Sequence, residues 1–154
     1  MVLGLTPEGV TTMRFMIIRK ADRDTEAGLL PSQELLEAMG KYNEEMIEAG
    51  VMLAGEGLKP SSQGARVKFQ GGKPQFTDGP FTETKELVAG FSIIDVKSKE
   101  EALSWLARWP AIDAGGNVEL ELRPLYELSD FGEALTPELR ALEEQRRAAA
   151  ESRR

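Results

Sequence analysis

Nine consecutive positions, Asp78-Gly79-Pro80-Phe81-Thr82-Glu83-Thr84-Lys85-Glu86, gather four ionisable side chains beside a Gly-Pro turn. They stand directly before the apolar run Leu87-Val88-Ala89-Gly90-Phe91-Ser92-Ile93-Ile94, which reads as a buried strand. Charges at the entry of such a strand sit either at a pocket mouth or on a solvated turn. Asp78 can bond the backbone two residues on, and Pro80 restricts Gly79, which together make a turn. The same rigid loop can also present Asp78 as a pocket carboxylate, with Phe81 as its anchor. Strand alternation puts Glu83 and Lys85 on one face and Glu86 on the other. These three either form surface ion pairs that protect the strand's end, or turn Lys85 toward an anionic ligand or Asp78.

Glu56 lies between Gly55 and Gly57 at the end of a second apolar strand. Glycines let a ligand or another backbone approach closely, so Glu56 is either a pocket carboxylate or a simple end to the strand. Tyr42, in the middle of a helix, places its hydroxyl at a pocket edge or packs in the core. Trp105 and Trp109 share one helix face and read as core. Neither Gly71-Gly72-Lys73 nor Gly55-Glu56-Gly57 has the spacing of a phosphate loop, and Asp78, Glu83 and Glu86 lack that of a calcium loop. The candidate ligand contacts are therefore Glu56, Asp78, Lys85, Glu86 and Tyr42.

Composition limits the chemistry. The 154 residues contain no cysteine and no histidine. Disulfides, thiolate catalysis and thiolate-bound zinc are excluded, along with the commonest neutral-pH base and the commonest transition-metal ligand. Acid–base work would fall to carboxylates, Lys, Tyr or water, and any metal to oxygen ligands; no cofactor is expected. A net charge of −7 argues against direct nucleic-acid binding. No apolar run approaches the ~20 residues that span a bilayer, and Met1–Leu5 lacks the features of a signal peptide. The expected location is cytoplasmic.

The elements that must position these residues follow from periodicity. Residues 1–12 read as a flexible leader. Residues 13–19 and 87–96 read as strands apolar on both faces, hence central. A loop over 20–31 leads to a helix from Ser32 to about Ala49, then a strand over 51–58. Gly71-Gly72 joins residues 65–69 and 74–77 into a hairpin. Ser98 with Glu101 makes a capping box that opens a helix through Trp105 to Trp109, stopped by Pro110. Residues 118–128 alternate apolar and charged, as an edge strand does. Thr136-Pro137 starts a last helix, with Leu135, Leu139 and Leu142 as a short stripe. Residues 129–154 are a helical tail, either solvated or docked on a partner.

The order β-α-β-(hairpin)-β-α-β predicts an α+β fold of the ferredoxin-like split βαβ type, spatial order 4-1-3-2, with an inserted hairpin. Two helices cover one face of such a sheet. The other apolar face needs a cover, most simply a second copy of the chain, which predicts a homodimer.

Residues 13–128 resemble the DGPF-domain branch of the YCII-related proteins. The resemblance is carried by Gly55-Glu56-Gly57-Leu58, Thr77 through Glu86, Gly90-Phe91, the Asp95 region, Glu101-Ala102 with Trp105, and Val118-Glu119 through Arg123-Pro124. It implies a dimeric α+β barrel built from ferredoxin-like protomers. Several members of the broader family carry a His–Asp pair in a pocket; this chain has no histidine, so Asp78 at the matching turn has no such partner. The branch is also similar to genomic neighbours of extracytoplasmic-function sigma factors.

Three functions follow as expectations. The first is a cytoplasmic homodimer that binds a small polar molecule, uncharged or weakly anionic, in a carboxylate-lined pocket without a transition metal. The second is a non-catalytic regulatory or interaction protein linked to sigma-factor-dependent transcription. The third is a hydrolase or lyase that works through carboxylates alone.

Overall fold

A computed structural model describes residues 4–5 and 11–153. The leader expected over residues 1–12 lies mostly outside the described residues. At its described positions it is strand: β1 (Gly4–Leu5) pairs antiparallel with Thr11 and Thr12, the start of β2 (Thr11–Lys20).

The body is α+β. After β2 come a short α1 (Arg23–Glu26), α2 (Gln33–Glu48), β3 (Met52–Gly57), the hairpin strands β4 (Ala65–Gln70) and β5 (Lys73–Asp78), β6 (Val88–Val96), α3 (Lys99–Leu106), β7 (Leu120–Pro124) and α4 (Pro137–Glu151). In the main sheet β6 lies between β2 and β3, and β7 pairs with the other side of β2. All of these pairings are antiparallel. The sheet is open, and no closed barrel forms among the described residues.

Alternation along the two central strands sorts the side chains. Phe15 and Ile17 of β2, and Ser92, Ile94 and Val96 of β6, point to one face and are buried. Tyr42 and Met46 of α2, Ala102 and Trp105 of α3, and Val51 complete that core. Met16, Ile18, Phe91 and Ile93 point to the opposite face and are only half-buried. On that face Arg14 holds the buried Glu127 through two hydrogen bonds. Asp95 also points there, and its Oδ1 is shielded from solvent with no hydrogen-bond partner among the described residues.

Local chemistry explains the boundaries. Ser32, Ser98 and Thr136 cap α2, α3 and α4, accepting from the N–H of Leu35, Glu101 and Leu139. The capping box expected at Ser98 is only half made, because Glu101 accepts from Lys97 N–H instead. The loop expected over 20–31 contains α1, closed by a reciprocal box between Asp22 and Thr25. The strand expected to reach residue 128 ends at Pro124, and the last bond to β2 is from Leu125 N–H to the Arg14 carbonyl. The chain then turns so that Leu128 is buried. No helix among the described residues is long and apolar enough to cross a membrane.

Candidate functional site: a cleft at the strand ends

A cleft of about 760 Å³ opens on the helix-covered side, where β2 and β3 end and β6 begins. Leu29 and Leu30 stand at its rim. Leu35, Leu36 and Met39 of α2, with Met52 of β3 and Ile112, make apolar walls. The amphipathic face of α2 does this because residues three and four apart share a side of the helix.

The base of the cleft is polar and largely locked. Arg19, at the end of β2, donates from Nε and Nη2 to the two carboxylate oxygens of Asp113, at 3.2 and 2.6 Å. Its Nη1 donates to Asp22 and to the Lys20 carbonyl. Trp109 Nε1 donates to Asp113 Oδ2 at 2.9 Å. Burial alone would push the Asp113 carboxyl up; the hydrogen bonds from Arg19 and Trp109 and the Arg19 charge together hold it below the usual value of 3.8. Asp22 behaves likewise, with Thr25 and Arg19 outweighing desolvation. The segment after Asp113 is held in the left-handed region: Ala114 has φ 53°, followed by Gly115 at 62° and Gly116 at 90°. For Ala114 this conformation costs roughly 1–2 kcal/mol, consistent with a segment whose position is imposed by the Asp113 network.

Some polar groups lining the cleft are not locked, among them Asn43, Glu56, Lys59 and Ser92. Ser92 is 6% exposed, lines the floor, and its hydroxyl has no hydrogen-bond partner among the described residues. It is also the one polar residue in the apolar run 87–94, a signal by which sequence reasoning could have found it.

The residues expected from sequence do not assemble into one site. Glu56 lines the cleft. Asp78, Lys85 and Glu86 are exposed and line neither this cleft nor its smaller neighbour, and their side chains make no hydrogen bond or ion pair among the described residues. Tyr42 is core: its hydroxyl donates to the Trp105 carbonyl at 2.8 Å, and its ring meets Trp105 and Trp109 edge-on. Burial pushes that hydroxyl's pKa up to about 12, against a smaller opposing effect of Arg108. No three acidic side chains converge as a metal-ion site among the described residues.

The turn at 78–81 acts on the cleft at one remove, through its backbone. Gly79 N–H donates to Gly64 O, and Phe81 N–H donates to Ser61 Oγ, both at 3.0 Å. Ser61 in turn donates from its hydroxyl and its N–H to the Glu26 carboxylate, at 2.5 and 3.0 Å. The turn thus ties residues 61–64 to α1, and those two segments carry the cleft's wall at Leu58–Pro60 and Gly28. Because the Asp78 side chain takes no part, Asp78→Ala is expected to change stability by no more than about 0.5 kcal/mol. A melting curve that moves by more than a few degrees would return Asp78 to the structural role suggested by sequence.

A family model described as YCII-related domain matches residues 13–126. An uncharacterized protein of Rhizobium meliloti (strain 1021) is 32% identical over 73 residues, 47% of this chain. The match covers 59% of that protein's length.

Proposed function

The chain belongs to the YCII-related domain family, and we propose that it is a homodimeric binding protein whose cleft holds a small organic molecule with an apolar body and an uncharged polar head. The observation that carries this reading is Ser92. The hydroxyl of a buried residue, unpaired among the described residues and at the floor of an apolar cleft, is the kind of group a ligand satisfies. The volume lies within the roughly 300–1,000 Å³ typical of small-molecule sites. The charge of Arg19 is taken up by Asp113 and Asp22, so an anionic ligand gains little from it, and at the cleft Glu56 offsets Lys59. Glu56, Lys59 and Asn43 are further polar contacts for the head.

The cleft favours binding over turnover. A carboxylate-based hydrolase or lyase needs a carboxyl poised near neutral pH. The buried carboxyl here, Asp113, is held in the opposite direction by its partners.

The finer family placement rests on two supports. The 78–81 turn at the hairpin's base agrees with the DGPF branch. The order β7-β2-β6-β3, with α2 and α3 against one face, agrees with a ferredoxin-like protomer. The half-buried face of Met16, Ile18, Phe91 and Ile93 favours a second copy there. Two such sheets facing each other make the dimeric α+β barrel.

Ser92→Ala tests the site. Titrated with neutral phenols, alcohols and amides of fragment size, it should bind about tenfold more weakly than the wild type, the loss of one hydrogen bond of ~1.4 kcal/mol. The free protein's stability should stay close to that of the wild type. Unchanged affinity in the variant would remove Ser92 from the site.

A further inference from the structure

We propose that the methyl of Met52 plugs the subsite at Ser92, and that the cleft selects ligands whose polar head is a single oxygen able to take that methyl's place. The plug presupposes that the cleft binds a ligand, and it narrows that ligand's class to phenols, alcohols and simple carbonyl compounds. β3 departs from regular pairing at one position. Met52 lies opposite Ile94 and Ala54 opposite Ile93, so Leu53 is an extra residue, a bulge. In an unbroken strand residues 52 and 55 would point to opposite faces. The bulge brings them to the same one. Gly55 lies opposite Ser92, and Ser92 and Ile94 both belong to the buried, core-facing set of β6. Bulges re-aim side chains in this way beside functional sites. Here the re-aimed side chain is that of Met52.

Gly55 sits within the strand and has no positive φ, so its backbone does not require glycine. What it supplies is space. A Cβ there would stand 2.5 Å from Met52 Cε and 3.3 Å from Ser92 Oγ. The first distance is an overlap and the second a tight contact. The thioether methyl therefore fills the room that Gly55 leaves, and the Ser92 hydroxyl borders the same room. Glycine inside a strand marks such close approaches.

Ser92 is 6% exposed, so a ligand head reaches its hydroxyl only when a neighbour moves. The other atom beside that room is the Phe91 carbonyl oxygen, which is backbone and fixed in the sheet. Met52 is half-buried and lines the open cleft. Its methyl ends an unbranched chain with three rotatable bonds, so it can swing toward the cleft without moving the strand. Displacing one methyl frees room for one heavy atom. A hydroxyl or a carbonyl oxygen fits that room; a primary amide, with both oxygen and nitrogen beyond its carbon, overfills it. The displaced thioether then lies against the body of the ligand, a contact that favours an aromatic ring. Phenol is the simplest probe with both features, and benzamide keeps the ring but has the larger head.

The full chain with isotope-labelled methionine methyls, six residues in all, is titrated with phenol and with benzamide and followed by NMR. Phenol should shift the Met52 methyl resonance, assigned through Met52→Ala, with the same dissociation constant as the Ser92 amide. It should bind about tenfold more tightly than benzamide, the size of effect one extra group has in a closed pocket. Met52→Ala removes the plug, and the two probes should then bind within about twofold of each other. Gly55→Ala puts a Cβ into the same room and should weaken phenol binding about tenfold; Met52→Ala decides the matter if that variant fails to fold. Phenol that saturates the Ser92 amide while the Met52 methyl stays still overturns the plug and leaves the binding reading standing. So does a preference for phenol that survives Met52→Ala. No saturable shift at the cleft in either the wild type or Met52→Ala would remove the binding reading, and the plug with it.

Discussion

Gly79→Ala is expected to destabilise the protein by about 3 kcal/mol, the upper end of ordinary overpacking costs. A Cβ at this position would overlap the carbonyl of Ser61, with the Ser61 carbon and Ser62 nitrogen close behind. Those atoms are backbone and cannot swing away as the end of a flexible side chain would. Relief requires the 61–64 turn to move, and that turn holds Glu26 through Ser61. The damage therefore spreads to α1 and the cleft wall. At roughly 3 °C per kcal/mol for a chain of this size, the melting temperature should fall by about 9 °C. The neighbouring Asp78→Ala should leave it almost unchanged. Equal, small effects at both positions would contradict the backbone role assigned to this turn.

Asp113→Ala should cost about as much, roughly 3 kcal/mol, because removing one member of a buried ion pair leaves its partner uncompensated. Arg19 would keep only Asp22 and the Lys20 carbonyl, and Trp109 Nε1 would lose its acceptor. The residue is 4% exposed, so water cannot easily replace the carboxylate. The sign of the pH dependence follows from the direction of the shift. Asp113 is held below its ordinary 3.8, so its contribution is complete above that pH and is lost as pH falls through the lower folded value. In urea denaturation, the stability gap between the wild type and Asp113→Asn should be flat from about pH 5 to 8 and close below pH 3.8. A gap that persists or widens in acid would mean that the carboxylate is not what Arg19 requires.

The central sheet was legible because its apolar residues declare their faces. Phe15 and Ile17 alternate with Met16 and Ile18, and the structure places these sets on opposite sides of β2. Ser32, Ser98 and Thr136 marked helix starts correctly, since a cap acts over three residues and needs no tertiary information. The cleft was not legible for the opposite reason. Arg19 and Asp113 are 94 residues apart, and nothing local to either names the other. Arg19 reads as the last residue of an apolar strand, and Asp113 as one polar residue in a loop. The charges at 78–86 drew attention because ionisable groups are conspicuous in sequence. The residues of that stretch that matter to the fold are Gly79, by lacking a side chain, and Phe81, through its N–H and ring. Backbone roles of this kind leave little trace in residue type. The hairpin over 65–69 and 74–77 was visible as alternation around two glycines, but not that both its faces would stay exposed.

The most direct test of the binding site is a protein-observed nitrogen–proton NMR titration of the full chain with neutral phenols, alcohols and amides of fragment size. The account predicts saturable shifts that cluster on the backbone amides of Gly55, Gly90, Phe91, Ser92 and Asp113 and on the indole N–H of Trp109, with residues 78–86 following weakly or not at all. Saturable shifts centred on Asp78, Lys85 and Glu86, with the cleft amides unmoved, would contradict it.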